Sequence, residues 1–247
     1  MGGAIAKALS KTANKIYVSD KNVAKLAALK KSGRIFVERD FKNLNTADVV
    51  IVAVKPQDVK DLSFGVKLPS STILMSIAAG LPISKLAKWF NHRKIVRVMP
   101  NLGLTVGAGV AVWKSVGLSA AEKQKAARLL DSFTDNFEVS SENKIDAATA
   151  ISGSGPAYFF YLANSLQQSA KSFGFSDKQA RLLVEKTFAG AAMLQIHHDY
   201  PNLIARVRSK KGTTDAALKV FQKKKLDKII ALAAKAAYNR AKELSNA

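Results

Sequence analysis

The chain contains no cysteine in its 247 residues. This absence excludes disulfide bonds, thiolate metal sites and a cysteine nucleophile, and it fits a reducing compartment. Long apolar runs are also missing, since no window approaches the ~20 uninterrupted apolar residues that a membrane-spanning helix needs. The amino end lacks a charged region followed by an apolar one, so no signal peptide is visible. We therefore expect a cytoplasmic protein without a membrane span.

Acidic residues are scarce: 18 Asp and Glu stand against 39 Lys and Arg, which gives a formal net charge of +21. Such a surplus raises the question of nucleic-acid binding, because clustered Lys and Arg attract phosphates. The lysines are spread over the whole chain, however, with short clusters only at residues 210–211 and 223–225. No aromatic residues alternate with a basic stripe to stack on bases. This distribution argues against a nucleic-acid site, although the positive field would attract anionic ligands.

The rest of the composition is globular, with 48% hydrophobic residues and a length that suits one large or two ordinary domains. Up to about residue 140, short apolar segments alternate with amphipathic helices, and the β-branched run at residues 48–54 is the clearest strand. This alternation predicts a doubly wound parallel sheet, whose ligands bind at the carboxyl ends of the strands. Strands are expected at residues 15–20, 34–37, 48–54, 72–77, 95–99, 107–113 and 137–139, and helices at 1–9, 22–31, 83–90 and 120–133. Residues 55–57 are expected to lead from the strand at 48–54 into a loop.

From about residue 141 the strand signals stop. Helices are expected at residues 142–150, 156–173, 178–196, 215–222 and 226–244, and residues 199–201 are expected to end a helix. Ser176 and Gln179 have the spacing of a capping box at the start of one of them. A region made only of amphipathic helices is typical of a dimerisation domain, and packing within one chain is an equal alternative.

Residues 151–158, Ile-Ser-Gly-Ser-Gly-Pro-Ala-Tyr, combine the features of a hinge and a binding loop. The glycines allow unusual backbone angles, and Pro156 suits the first turn of a helix. A helix that begins here would direct unpaired N–H groups at a carboxylate or phosphate. An ordinary capped helix start explains the same residues equally well.

Five segments together carry a resemblance to a known family. They are Val-Lys-Pro-Gln at residues 54–57, Ala-Ala-Gly at 78–80, Val-Met-Pro-Asn at 98–101, Ser-Gly-Ser-Gly-Pro-Ala-Tyr at 152–158 and Gly-Thr-Thr at 212–214. Their joint order and spacing resemble the pyrroline-5-carboxylate reductase family, which makes L-proline, and the resemblance covers essentially the whole chain. It implies a Rossmann-like NAD(P)-binding domain at residues 1–140 and an all-α dimerisation and substrate domain at residues 141–247.

Gly2 resembles the last glycine of the family's dinucleotide fingerprint, and Met1 is the residue before it. The first strand and the two earlier glycines of that fingerprint are then absent from this sequence. We expect that Met1 is an internal methionine taken as a start and that about a dozen residues are missing, the length of a strand and a glycine turn. A decayed, inactive copy is the alternative.

The resemblance implies NADPH as the cofactor, with NADH as the alternative. Ser19 and Lys21 suit a 2′-phosphate, whereas Asp20 suits either the ribose hydroxyls or the cap of the next helix. Leu102 and Gly103 depart from the Thr-Pro pair that the family shows at this point. The residues expected along the cofactor groove are Met1, Gly2, Ser19, Lys21, Val54, Lys55, Pro56, Ala78, Ala79, Gly80 and Asn101. Each of three of these residues has an alternative role when it is considered alone. Lys55 could be a solvated surface lysine, and Ala79 and Asn101 could be ordinary turn residues.

The implied substrate is a cyclic imine that bears a carboxylate. The residues expected to bind it are Ser152, Ser154, Gly155, Ser209, Gly212, Thr213 and Thr214. Thr214 is the expected catalytic residue, whose hydroxyl hydrogen-bonds the ring nitrogen and orients it while hydride reaches the adjacent carbon. Helix capping is the alternative role for the two threonines. Lys210 and Lys211 depart from a less charged pair that includes glycine, and a left-handed backbone at Lys211 would cost on the order of 1 kcal/mol.

No metal site is expected. His92, His197 and His198 show no metal-binding spacing with Asp or Glu, and we expect them at the surface or at helix ends. Two other functions remain in competition: a hydroxyacid-type dehydrogenase, and a basic nucleic-acid-binding protein. Such dehydrogenases usually rely on a lysine within the long helix after the hinge, where this chain has only Lys171 at the far end. By resemblance, the helical domains of two chains interlock in a homodimer, and higher assemblies of dimers are common.

Overall fold

The structure, a computed structural model, describes residues 1–12, 15–30, 34–38, 41–196 and 199–246. The chain forms two compact units. The first unit consists of Met1–Ser154 together with the end of the chain from Ala237 on, and the second consists of Gly155–Ala236. The chain returns from the second unit to the first within its last helix.

The first unit alternates strands and helices. Its strands are β1 (Ile16–Val18), β2 (Ile35–Val37), β3 (Val49–Val52), β4 (Ile73–Ser76), β5 (Ile95–Pro100), β6 (Val110–Val116) and β7 (Asp135–Glu138). Its helices are α1 (Gly2–Leu9), α2 (Val23–Lys30), α3 (Pro56–Phe64), α4 (Ile83–Phe90), α5 (Ala120–Asp131) and α6 (Glu142–Ala148). Each strand expected from the sequence is present, although residues 107–109 lie in the turn before β6 and not in the strand.

Helix α3 is absent from the elements predicted above, which treat residues 55–57 as an exit into a loop. That prediction is wrong, because the helix begins at Pro56, directly after Lys55. Proline is favoured in a first helical turn, and Asp58 adds an acidic side chain near the positive end of the helix dipole. Gly65 follows the last helical residue.

The strands of the described residues form two sheets. Strands β1 and β2 pair in parallel, and the second sheet has the order β3-β4-β5-β6-β7. Strand β6 runs antiparallel to β5, whereas the other neighbours are parallel. The prediction of a wholly parallel sheet is therefore wrong at this pair. Only residues 101–109 join the two strands, which is shorter than the crossover of about a dozen or more residues that a parallel pair needs.

The inner strands β4 and β5 of the five-stranded sheet are buried on both faces. Ile73 and Met75 of β4 join one apolar cluster with α1 and α5, and Leu74 between them joins another with α3 and α4. Successive side chains of a strand point to opposite faces, so these two clusters are the two sides of the sheet. All three residues are at most 1% exposed. The sheet and its flanking helices thus contain the main core of the first unit.

The second unit consists of helices in the residues that the structure describes. They are α7 (Gly155–Ser172), α8 (Asp177–Leu194), α9 (Tyr200–Val207), α10 (Thr213–Lys223) and α11 (Leu226–Asn246), the last of which continues into the first unit. The predicted capping box of Ser176 and Gln179 begins α8. The prediction that residues 199–201 end a helix is wrong, because Asp199 is the N-cap of α9 and Pro201 lies in its first turn.

Large apolar side chains of the second unit remain exposed. Phe160 on α7 is 57% exposed, Leu182 on α8 is 55% exposed and Ile230 on α11 is 58% exposed. The rings of Phe159 and Phe188 pack together, with their centroids 6.0 Å apart. No helix among residues 1–12, 15–30, 34–38, 41–196 and 199–246 is long and apolar enough to cross a membrane.

Candidate active site

The N-terminus of α1 packs closely against the end of β3. A Cβ atom added to Gly2 would lie 2.8 Å from the Cβ atom of Ala53, so a larger residue would push the helix away from the strand. The first N–H groups of a helix have no partner within it and lie at the positive end of its dipole. Met1 and Gly2 therefore stand where the positive end of a helix meets the carboxyl end of a strand.

Three of the expected cofactor segments follow neighbouring parallel strands. Val52, Ser76 and Arg97 are register partners across β3, β4 and β5, so the segments after them leave the same edge of the sheet. These segments contain Val54, Lys55 and Pro56 after β3, Ala78, Ala79 and Gly80 after β4, and Asn101 after β5. The structure thus brings these predicted residues to one edge, where open α/β sheets bind their ligands.

The segment after β3 is exposed. Val54 and Lys55 present their side chains to solvent, while Pro56 is half-buried. Lys55 is also the N-cap of α3, and its carbonyl accepts the N–H of Asp58 at 2.9 Å. The side chain of Lys55 is therefore accessible to an anion. This exposure is compatible both with a role in cofactor binding and with an ordinary solvated lysine.

The segment after β4 has a fixed backbone. Ala78 is buried, and its N–H donates to Oγ of Ser76 at 3.3 Å. Ala79 is exposed. Gly80 has φ +70°, a left-handed conformation that glycine adopts at little cost. The loop therefore presents a small side chain outward between two fixed neighbours.

Asn101 holds the turn between β5 and β6 together. Its side-chain Oδ1 accepts the N–H of Val110 at 3.0 Å, and its own N–H donates to the carbonyl of Val110 at 3.1 Å. A Cβ atom on Gly103 would lie 2.3 Å from the carbonyl oxygen of Ala108, so glycine is required at that departure from the family pattern. The turn role considered for Asn101 is confirmed, and a cofactor role remains a proposal.

The segment after β1 follows a strand of the two-stranded sheet. Ser19 and Lys21 are exposed there. Asp20 accepts the N–H of Asn22 at 2.8 Å, and Asn22 in turn accepts the N–H of Lys25 in the first turn of α2 at 3.1 Å. Asn22 therefore caps the helix, and the capping role considered for Asp20 is wrong.

Residues 149–153 form a π-helical turn that follows α6. The N–H of Ser154 donates to the carbonyl of Thr149 at 2.8 Å, and the hydroxyl of Ser152 donates to the carbonyl of Ala148 at 2.9 Å. Gly153 packs against Met99, since a Cβ atom there would lie 2.9 Å from its methyl carbon. The prediction of an open loop with unpaired N–H groups is wrong at Ser154, because the chain stays helical up to α7. Such π-turns occur often at functional sites.

The turn before α10 contains the other expected substrate residues. The N–H of Gly212 donates to the carbonyl of Ser209 at 3.0 Å, and a Cβ atom on Gly212 would lie 2.1 Å from Oγ of Ser209. Gly212 is the N-cap, so Thr213 and Thr214 are the first helical residues and do not cap the helix. Thr214 is half-buried and Thr213 is exposed. Lys211 has φ +59°, which is the left-handed backbone considered from the sequence.

Asp215 follows this turn and forms ion pairs with residues on both sides of it. It is 5% exposed, and its carboxylate pairs with Nη2 of Arg208 at 2.6 Å and with Nζ of Lys219 at 2.9 Å. The hydrogen bond from Lys219, followed by that from Arg208, lowers the pKa of Asp215 below its ordinary value. Sequence reasoning missed this ion pair, which brackets the turn from Ser209 to Thr214. A charged residue at each end of a short polar turn was the available signal.

His92 can be placed among the histidines that the sequence singles out. The structure contains no cluster of three or more potential metal ligands among its described residues. His92 follows the end of α4 and is buried, and its Nε2 lies 2.8 Å from the carbonyl oxygen of Thr72. Its expected place at a helix end is confirmed. His197 and His198 lie outside the described residues.

Two family models match the chain. The model described as pyrroline-5-carboxylate reductase dimerisation matches residues 142–244, and the model described as NADP oxidoreductase, coenzyme F420-dependent, matches residues 1–80. Among solved structures, a pyrroline-5-carboxylate reductase from Coxiella burnetii is 32% identical with a TM-score of 0.88, covering 99% of this chain and 94% of that one. A Plasmodium falciparum pyrroline carboxylate reductase with NADP bound is 27% identical with a TM-score of 0.83, covering 99% of this chain and 94% of that one.

Curated relatives agree with these matches. The pyrroline-5-carboxylate reductase of Aquifex aeolicus is 38% identical over 91% of this chain and 86% of the relative. That of Pasteurella multocida is 35% identical over 94% of this chain and 88% of the relative. Identity at this level over nearly the full length of both proteins shows that the chain belongs to the pyrroline-5-carboxylate reductase family.

Proposed function

We propose that the chain reduces 1-pyrroline-5-carboxylate to L-proline with NADPH, the last step of proline biosynthesis. The observation that carries this proposal is the compact turn at the start of α10, where Ser209, Gly212 and the half-buried Thr214 meet the N-terminus of a helix. A carboxylate fits such a helix start, which offers N–H donors and a positive dipole end. When bound, NADPH supplies the hydride that adds to the imine carbon, and the ring nitrogen takes a proton from solvent.

The residues of the chain bind and orient the imine. The first N–H groups of α10 hold the substrate carboxylate together with Ser209, Gly212 and Thr213. The hydroxyl of Thr214 hydrogen-bonds the ring nitrogen and fixes the orientation of the C=N bond. Ser152, Ser154 and Gly155 are the remaining proposed substrate-binding residues. Because no strong acid or base is needed, positioning supplies most of the rate enhancement.

Substitution of Thr214 tests this function. We expect Thr214→Val to lower kcat/KM for pyrroline-5-carboxylate about 100-fold, while Thr214→Ser keeps most of the activity because it retains the hydroxyl. Thr187→Val, at an exposed position of α8, is a matched control for the loss of a threonine hydroxyl. The measurement is the loss of NADPH absorbance. Equal rates in the two valine variants would contradict the role of Thr214.

A hydroxyacid-type dehydrogenase is the alternative enzyme, and one contact disfavours it. Lys171 is the lysine of α7, and its Nζ pairs with Asp177 at 2.7 Å near the far end of the helix. A lysine held there is poorly placed to act as an acid or base after the hinge. Oxidation of NADPH with hydroxyacid-derived ketoacids but not with the imine would favour this alternative.

We propose NADPH as the preferred cofactor, with NADH as the alternative. The exposed Ser19 and Lys21 after β1 would hold the 2′-phosphate, while Met1 and Gly2 at the start of α1 would face the pyrophosphate. The match to an NADP oxidoreductase model at residues 1–80 supports this choice. We expect a higher kcat/KM with NADPH than with NADH, and Lys21→Ala should reduce the difference. If Lys21→Ala leaves the ratio of kcat/KM for NADPH to kcat/KM for NADH unchanged, the proposed role of Lys21 is wrong.

We propose that residues 1–140 bind the cofactor and that residues 141–247 complete the substrate site and form a homodimer. The dimerisation model that matches residues 142–244 and the exposed apolar side chains of α7, α8 and α11 support this division. Higher assemblies of such dimers are a further prediction. Light scattering coupled to gel filtration measures the mass, and a monomer at micromolar concentration would contradict the proposal. A cytoplasmic location remains a prediction, which the absence of cysteine favours.

We also propose that a further parallel strand fits between β1 and β3. Ile16 of β1 and Val49 of β3 pack against the same cluster as α1, yet the two strands belong to different sheets. A strand between them would pair two edges that lack a strand partner in the described part of the chain, and it would lead into Gly2. Expression with and without an added strand and glycine turn tests this, with NADPH loss as the readout. Equal activity would contradict the proposal, and inactivity of both forms would favour a decayed copy.

A further inference from the structure

The Ala78–Gly80 loop is covered from behind by the last turn of α11. A Cβ atom added to Gly80 would lie 2.9 Å from the Cβ atom of Leu244 and 3.4 Å from its carbonyl carbon and oxygen. These are fixed atoms of the helix, not the flexible end of a side chain. The position of this helix turn therefore limits the position of the loop.

A buried arginine holds that helix turn in place. Arg97 of β5 is 3% exposed, and its Nη2 donates to Oγ of Ser245 at 3.2 Å and to Oδ1 of Asp146 at 2.7 Å. The hydroxyl of Ser245 donates to Oδ1 of Asp146 at 3.0 Å. Ser245 thus accepts one hydrogen bond and donates another, a combination that alanine cannot replace.

The same arginine also reaches the other end of the loop. Its Nη1 donates to Oε1 of Glu142 at 2.9 Å, and that carboxylate oxygen accepts the N–H of Ile83 at 2.9 Å. Ile83 is the first residue of α4, which follows the loop. The loop is therefore held at its start by β4, at its end through Glu142, and from behind by Leu244.

We propose that Arg97, Glu142 and the turn of Leu244 and Ser245 are positioning residues for the cofactor loop, so that the C-terminal turn of the chain tunes the affinity for NADPH. The inference rests on the proposed place of residues 78–80 in the cofactor groove. Buried ion pairs contribute little net stability compared with apolar residues, and in some proteins they specify one arrangement instead. A network that spans both ends of one loop fits such a positioning role.

Ser245→Ala is the main test. We expect it to raise KM for NADPH about threefold to tenfold, the effect of one lost hydrogen bond of ordinary strength. The values of kcat and of KM for pyrroline-5-carboxylate should stay within about twofold, because the substrate residues are not altered. Glu243→Gln, in the exposed pair with Arg240 on the same helix, is the matched control. A lower melting temperature with an unchanged KM for NADPH would overturn the inference.

A second pair of variants addresses the contact itself. Gly80→Ala should weaken NADPH binding for two reasons: the left-handed backbone at φ +70° disfavours a side chain, and the new methyl group meets Leu244. Combination with Leu244→Gly removes the opposing Cβ atom and should restore the part of the affinity that the contact accounts for. Direct titration of NADPH fluorescence without substrate measures both. No recovery in the double variant would count against the contact as the cause.

Ala79→Phe distinguishes the place of the loop in the cofactor groove from the positioning role of the C-terminal turn. Ala79 is exposed and makes none of the hydrogen bonds of the Arg97 network, so its enlargement tests whether the loop lines the cofactor groove. If Ala79→Phe leaves NADPH binding unchanged, the proposed place of the loop is wrong. If it weakens binding while Ser245→Ala does not, the loop is in the groove and the positioning role of the C-terminal turn is wrong.

Discussion

The two units of the chain bury their apolar residues to very different extents. In the first unit apolar clusters cover both faces of β4, and Leu74 on this strand is 0% exposed. In the second unit, Phe160 on α7 and Ile230 on α11 are more than half exposed. Helices of this kind gain most of their stability from packing of an apolar face. The first unit therefore contains its own stabilising core, whereas the second leaves large apolar side chains of α7 and α11 exposed.

The same contrast holds for charged groups. Arg97 in the first unit is paired with two carboxylates and is almost inaccessible to water. In the second unit Asp215 is buried, but its partners Arg208 and Lys219 have side chains that are 42% and 65% exposed. Buried networks specify one arrangement, while partly exposed pairs are screened by water and salt. The pairs of Arg97 with Asp146 and of Asp215 with Lys219 therefore differ in how strongly water screens them.

The largest effect should come from the core of the first unit. Leu74→Ala should cost about 2–5 kcal/mol of unfolding free energy, because the buried side chain leaves a cavity. Both tryptophans of the chain, Trp89 and Trp113, lie in this unit, so tryptophan fluorescence in urea follows its unfolding. The urea concentration at the midpoint of this fluorescence transition should not depend on protein concentration. Phe160→Ala, in the second unit, is the control. If it shifts the urea midpoint of the fluorescence transition as far as Leu74→Ala does, the two units do not differ in the way proposed.

A charge on the apolar face of the second unit should act on association instead. Ile230→Lys should weaken the dimer about 100-fold, which corresponds to about 2.7 kcal/mol, because a lysine would be buried at the interface. Sedimentation at several protein concentrations measures the dissociation constant. Lys228→Gln changes a charge two residues away on another face of α11 and should have little effect. An unchanged dimer in Ile230→Lys would show that this face lies outside the interface.

Local patterns account for most of the fold that the sequence predicts. The continuous apolar run at residues 48–54 predicts the strand β3, although not its partial exposure, and the capping box at Ser176 depends only on neighbouring residues. Strand direction is different, since the antiparallel pairing of β6 follows from the short connection after β5 and not from its composition. Elements set by local chemistry were thus predictable from composition, whereas the pairing direction could be predicted only from the length of that connection.

The candidate site divides in the same way. Segments at the ends of β3, β4 and β5 can be predicted, because parallel strands bring their carboxyl ends to one edge. The contact of Arg97 with Ser245 joins residues 148 positions apart, and no local pattern contains it. One signal was present in the sequence: an arginine within the apolar strand at residues 95–99 indicates a buried partner, although not which one.

A smaller effect is expected at the turn before α10. Lys211 has a left-handed backbone, so Lys211→Gly should stabilise the second unit by on the order of 1 kcal/mol. Far-UV circular dichroism during thermal unfolding follows the helices. Lys210→Gly, at the neighbouring lysine, lacks this relief and should be neutral or destabilising. KM for pyrroline-5-carboxylate should change less than stability does in Lys211→Gly, and a large rise in KM would instead assign Lys211 to substrate binding.

The smallest effect concerns a surface carboxylate of the first unit. The hydrogen bond from Lys94, aided by the capping-box bond from Ser119, lowers the pKa of Glu122 from 4.5 to about 2. A group with a lowered pKa stabilises the fold above its unfolded value, and this contribution is lost as pH falls from about 4.5 through about 2. Glu122→Gln keeps the capping box but removes the charge, so its melting temperature should lie below that of the wild type at pH 6.

The difference between Glu122→Gln and the wild type should then shrink as the pH falls through about 2, below which both side chains are neutral. Glu185→Gln in the exposed Arg181 pair of α8 is the control from the second unit. Exposed pairs of this spacing contribute little, so its melting temperature should follow the wild type at every pH. A pH dependence as large in Glu185→Gln as in Glu122→Gln would show that net charge, and not the local hydrogen bonds of Glu122, sets the acid stability of the first unit.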